Sequence, residues 1–133
     1  MNTPNDEILV LNGVTLTAAY TGNSSSAYEY RSGAGLTFLI NYDRHSGSAS
    51  AYLELQVEYS YDASAWHQWG QWADSGSGVM TFTAYTYKQL GDGKVPLVID
   101  EPRARWFRVK VQETSVTGSN FGTVYVYAYP HTL

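Results

Sequence analysis

The chain has 133 residues and a net charge of −4, contains no Cys, and only 15% of its residues are charged. That length suits one domain whose core can stand without staples. The missing Cys excludes disulfides and thiolate metal sites, and the lack of a basic excess argues against a nucleic-acid surface. Twelve Tyr and four Trp take the place that charged side chains usually fill, a bias found where proteins sit against partners. The opening MNTPNDEILV has neither a basic n-region nor a long apolar h-region, so synthesis in a cytoplasm without a secretory signal is expected. No stretch approaches about 18 continuous apolar residues, so no membrane-spanning helix is expected. Residues 1–6 read as a flexible polar arm, and 7–133 as a single domain.

Along the chain the dominant signal is period-two alternation of apolar and polar side chains. Val14, Leu16 and Ala18 alternate with Thr15 and Thr17, and Leu36, Phe38, Ile40 and Tyr42 share one face of the next strand. The clearest run is Leu53–Tyr61, where Leu53, Leu55, Val57, Tyr59 and Tyr61 oppose Glu54, Gln56, Glu58 and Ser60. Met80, Phe82 and Ala84 alternate with Thr81 and Thr83, so a further strand is expected there. Residues 86–92 suggest a short helical turn. Val95, Leu97 and Ile99 form a strand whose Pro96 lacks an N–H donor, which places it at an edge or bulge. Phe107, Val109 and Val111 alternate with Arg108, Lys110 and Gln112. If this strand neighbours Leu53–Tyr61, Arg108 and Lys110 would form cross-strand ion pairs with Glu54 and Glu58. Over Gly122–Tyr129, Val124, Val126 and Ala128 oppose Tyr125, Tyr127 and Tyr129. A strand with no solvated face is either central in its sheet or covered by a neighbouring subunit.

Turn signals separate the runs: Asn12-Gly13, Gly22-Asn23, Ser32–Gly35, Ser46–Ser48, Asp74–Gly78, Gly91–Gly93 and Gly118–Asn120. The expected fold is all-β, an antiparallel β-sandwich of jelly-roll type with about 8–10 strands.

Little in the chain points to catalysis. His45, His67 and His131 lie far apart and belong to no nucleophile or metal motif. Asp43, Asp62, Asp74, Asp92, Asp100 and Glu101 mostly occupy turn positions, where Asp bonds its own backbone. A loop Ca²⁺ at Asp62, Asp92 or Asp100 has no supporting ligand spacing, so no cofactor or metal site is expected. The most distinctive segment is Trp66-His67-Gln68-Trp69-Gly70-Gln71-Trp72. Trp69 has the opposite strand parity to Trp66 and Trp72, so at least one ring should point outward. The plain reading is that Trp66 closes one end of the sandwich and the others pack under loops. The alternatives are a protein interface or a sugar-stacking platform, with Tyr85 or Tyr87 assisting. Tyr125, Tyr127 and Tyr129 form the second candidate surface.

The stretch Leu55-Gln56-Val57-Glu58-Tyr59-Ser60-Tyr61-Asp62-Ala63-Ser64-Ala65-Trp66, followed by Pro102-Arg103-Ala104-Arg105-Trp106-Phe107-Arg108-Val109, resembles discoidin-like or galactose-binding-like jelly rolls. It resembles still more the small jelly-roll structural proteins of tailed bacteriophage virions, over residues 36 to 113. The resemblance implies that Ser60 and Asp62 shape a turn, that Trp66 packs over it, and that Arg105 and Arg108 brace the following strand. It further implies a non-enzymatic virion component: a capsid decoration (cement) protein, or a tail, neck or fibre accessory. Its partners would be itself, as a homo-oligomer, and major capsid or tail proteins. The alternative is a carbohydrate-binding module of a host-recognition apparatus, although the disulfide that clamps many secreted members is missing.

Overall fold

A computed structural model describes residues 7–20, 25–29, 35–100 and 104–131. The 1–6 arm, the Gly22-Asn23 and Ser32–Ala34 turn signals, Glu101, Pro102 and Arg103, and the side chains of Asp100 and His131 lie outside the described residues.

The described chain is all-β and forms a sandwich of antiparallel sheets. Its strands are β1 (Ile8–Thr15), β2 (Tyr28–Glu29), β3 (Gly35–Asp43), β4 (Tyr52–Ser60), β5 (His67–Gln68), β6 (Gly70–Asp74), β7 (Met80–Ala84), β8 (Tyr87–Gln89), β9 (Gly93–Asp100), β10 (Trp106–Thr114) and β11 (Thr123–His131). Sheet A runs β1-β11-β3-β9. Sheet B runs β2-β10-β4, with β5 and β8 sharing the far edge of β4. Counting β5 and β8 as one position, the pairing is nested: first with last (β1–β11), then β2–β10, β3–β9 and β4 with β5/β8. The chain is in effect one long hairpin rolled over itself.

Alternation explains why the two sheets stack. Leu36, Phe38, Ile40 and Tyr42 of β3 and Val124, Val126 and Ala128 of β11 are buried against Leu53, Leu55 and Val57 of β4 and Phe107, Val109 and Val111 of β10. Phe38 meets Phe107 edge-to-face at 5.5 Å across the layers, a favoured aromatic geometry. One lateral seam is tied by Tyr28, whose hydroxyl donates to the Leu9 carbonyl (3.1 Å). The opposite seam, between β8 and β9, stays open as a cleft of about 290 Å³ floored by Ile40, Leu53 and Leu55.

Two expectations are corrected, and the strand expected at Met80–Ala84 is found in an unexpected place. Asn12-Gly13 is not a turn but lies in an irregular stretch of β1, where the register against β11 shifts and Gly13 has φ +60°. A side chain there would meet the Tyr125 hydroxyl, so glycine permits both the conformation and the approach. Residues 86–92 hold no helical turn, because β8 pairs with β4 from Leu53 to Leu55. Met80–Ala84 is a strand but does not enter the core. It pairs with β6 alone, in a two-stranded ribbon.

At one end of the sandwich a buried carboxylate joins the sheets. Glu113 of β10 accepts hydrogen bonds from the Tyr42 hydroxyl and from the Gly122 N–H (2.8 Å). Burial first, and then the bond to Glu113, holds the Tyr42 hydroxyl well above the usual tyrosine range. Replacing Glu113 by Leu leaves two buried donors unpaired and should lower unfolding stability by about 2–3 kcal/mol in urea titration; an unchanged midpoint would contradict the tie. Alkali provides a second check. Tyr20 is pushed up to about 12, chiefly by burial and the nearby Glu54. Because the folded pKa values lie above the unfolded 10.0, stability should be fully present below pH 10.0 and fall as pH rises toward the folded values. Tyr42→Phe should make that fall shallower.

Candidate functional surfaces

The Trp-rich segment is where the edge of sheet B breaks open. Gln68 of β5 faces Glu58, and Tyr87 of β8 faces Leu55. An uninterrupted strand would bring Gln71 opposite Leu55. The intervening residues leave the sheet as the β6–β7 hairpin and return to the same edge. Trp69 anchors its base. Its backbone N–H donates to the Val57 carbonyl, and its own carbonyl accepts from Tyr85 N–H. Its ring packs edge-on to Tyr59 (5.6 Å) and Tyr85 (6.1 Å), and its Nε1 donates to the Tyr87 hydroxyl (3.1 Å).

Beyond that base, the residues from Gln71 to Thr83 are all exposed. Register makes the hairpin two-faced. Gly70, Trp72 and Asp74 lie opposite Ala84, Phe82 and Met80 on one side, whereas Gln71 and Ala73 lie opposite Thr83 and Thr81 on the other. Trp72, 64% exposed, packs edge-on to Phe82 at 5.4 Å. The Phe82 ring folds back over Gly70, where a side chain would collide with it and with the Thr83 backbone. At the tip one carboxylate oxygen of Asp74 accepts from the Gly76 and Gly78 N–H groups. A ribbon of two strands gains little stability alone, and this one leaves an apolar face uncovered by the described residues.

The three Trp therefore divide. Trp69 is a structural anchor, and Trp72 is a free platform. Trp66 is half-buried on the outer face of sheet B with the Arg108 guanidinium 4.2 Å above its ring. Arg108 also bonds Glu58 (3.0 Å). The expected second ion pair does not form: Lys110 faces Gln56 and lies over the Tyr20 ring, and Glu54 accepts from Gln112 and Thr114. Arg105 is exposed. Asp62 accepts from the Ser64 and Ala65 N–H groups (2.9 Å each) and from the Ser60 hydroxyl (3.0 Å). The N–H of Ala65, then that of Ser64, hold the Asp62 carboxyl below its ordinary range. Asp92 likewise accepts from the Arg44 N–H. His45 and His67 are exposed, and no group of metal-ligating side chains occurs among the described residues.

Sheet A presents a different outer face. Tyr125, Tyr127 and Tyr129 lie on β11, a central strand between β1 and β3. Tyr127 stands in a row with Leu9, Leu39 and Pro96 that crosses all four strands. Tyr129, Thr37 and Val98 form a second row, and Tyr125, Asn41 and Lys94 a third. Val98 is 60% and Leu9 41% exposed. Tyr125 and Tyr127 are parallel within 7°. Tyr129 donates to Glu7, and that bond raises its hydroxyl pKa.

Sequence reasoning missed Phe82, Met80 and Val79 of the ribbon and Leu9, Leu39, Pro96 and Val98 of sheet A. The alternation that marks Phe82 is the same whether its face meets a core or nothing. The sheet A row appears only once strand order is known. Comparison with protein-family models, with curated proteins and with solved structures finds no significant match.

Trp69→Ala should destabilise the fold by about 2–3 kcal/mol, below the range for a fully buried Trp because the ring is half-buried where it packs against the core. Trp72→Ala should change stability by less than about 0.5 kcal/mol, as for exposed positions. Equal costs in urea unfolding would show that the anchor and platform roles are wrongly divided.

Proposed function

We propose that this chain is a non-enzymatic structural protein that adheres to neighbouring subunits of an assembly. The setting implied by its resemblance is the virion of a tailed phage, with capsid decoration as the leading role. The nested strand pairing supports reading the sandwich as a jelly roll.

One observation carries the proposal: the contrast between the outer surfaces. Sheet B satisfies itself with Arg108–Glu58, Arg108 on Trp66, Lys110 on Tyr20, Lys88 on Tyr52 and the Glu54 bonds. Sheet A and the ribbon expose Leu, Val, Pro, Tyr, Trp and Phe with few charges between them. Neutral aromatic surfaces of this kind release water on contact, at about 25 cal/mol per Å² of apolar area before association costs. Repetition over many copies turns weak contacts into firm attachment.

The exposed Trp72–Phe82 pair also favours a second reading, a carbohydrate-binding module in which Trp72, and not the anchored Trp69, stacks on a sugar.

Phage particles lacking this protein should bind the purified chain saturably in a sedimentation assay. The Trp72→Ala/Phe82→Ala variant should bind at least about tenfold more weakly, as loss of a hot spot would produce. Saturable binding of monomer to host polysaccharide, lost in the same variant, would favour the sugar reading. Binding to neither would overturn both.

A further inference from the structure

We propose that the ribbon of one copy docks on the outer face of sheet A of another copy, in a head-to-tail contact. This deepens the adhesive reading above and rests on it, because it names the partner of both surfaces.

The two surfaces match in shape. The ribbon is two strands wide and five residues long per strand, so its apolar face measures about 10 by 17 Å. The outer face of sheet A spans four strands, with about 14 Å between its outermost strand axes. A row of Leu9, Tyr127, Leu39 and Pro96 crosses it. The ribbon therefore fits on the face without overhanging it.

The charges match as well. Between Gly70 and Ala84 the ribbon has one charged residue, Asp74. By register Asp74 shares the Trp72 and Phe82 side. One of its oxygens caps the tip turn, and its other oxygen has no partner among the described residues. The cation on the rows of sheet A is Lys94, exposed at the β9 edge and without a hydrogen bond or ion pair among the described residues. Lys88, Lys110 and Arg108, by contrast, lie over aromatic rings of their own chain. With Trp72 and Phe82 on the Tyr127 row, Asp74 reaches Lys94; of the carboxylates on this face, Glu7 already accepts from Tyr129, and Asp43, opposite Thr123, lies one step beyond the Lys94 row.

The geometry has a consequence for assembly. Ribbon and sheet face are different patches, so the contact is heterologous and each copy offers one of each. Copies then link into a closed ring or an open series. Each contact is smaller than the roughly 800 Å² per partner of a stable pair, so association in solution should appear on the order of 0.1–1 mM.

Complementation between two variants tests this. Trp72→Ser/Phe82→Ser disables the ribbon and leaves the sheet face intact; Leu9→Glu/Val98→Glu does the reverse, at exposed positions. Circular dichroism and thermal melts establish that both fold. In sedimentation velocity each alone should be monomeric where the wild type associates, and a 1:1 mixture should form a heterodimer that grows no further. Lys94→Glu and Asp74→Asn, the latter retaining the turn-capping oxygen, should each weaken association by about threefold to tenfold, with losses that do not multiply when combined. Variants that fail to pair while the wild type associates would overturn the docking mode and leave the adhesive reading standing. A wild type monomeric at about 1 mM would also overturn it, and the particle-binding assay then decides the adhesive reading independently.

Discussion

The burial of one face of each sheet against the other is the interaction on which everything else depends. Phe38 and Phe107 meet across the layers, and the inward residues of β3, β4, β10 and β11 enclose them. Stacking requires each strand to keep a single apolar parity, and that parity fixes register, because a one-residue slip would turn the whole set outward. β1 illustrates the strength of the demand. Its register shifts by irregular steps so that Leu11 and Val14 still oppose Val126 and Val124. The nested pairing sets ends of the chain side by side, with Leu9 opposite Tyr127. Contacts of such long range are slow to form.

Function in this account lies where the core's demand ends. Sheet B's edge position is filled by β5 and β8, and the chain between them is free to leave as a ribbon because Trp69 seals the gap against Tyr59, Tyr85 and Tyr87. The outer faces follow the same logic. Sheet B turns charged side chains outward and pairs them with one another or with aromatic rings, so it meets water at little cost. Sheet A turns a Tyr strand outward at its centre, and its neighbours add Leu, Pro and Val. Under the proposed reading, both features are harmless in a dilute monomer and become adhesive at close quarters.

Much of this architecture was legible in the sequence. The alternation of Leu53–Tyr59 and of Phe107–Gln112 states which side chains are inside, and Pro96 marks an edge strand, as β9 is. The opposing Glu58 and Arg108 do pair. What the sequence concealed follows from the locality of its signals. Period two over Met80–Ala84 reports a strand but not whether a second layer covers it. Asn12-Gly13 carries the chemistry of a tight turn, yet a positive φ serves equally in an irregular strand. The parity of Trp66, Trp69 and Trp72 assumed one continuous strand, whereas the chain leaves the sheet after Trp69. The row from Leu9 to Pro96 draws on four distant strands and exists only through topology.

Hydrogen–deuterium exchange across a concentration series tests the central claim most directly, namely that the sandwich is complete by itself and the ribbon is not. In dilute solution the amides of β3, β4, β10 and β11 should exchange slowly and those of residues 71–83 quickly, and raising the concentration should slow only the latter. A ribbon as well protected as β4 in the dilute monomer would contradict the account, and one whose exchange ignores concentration would remove the docking of one copy on another.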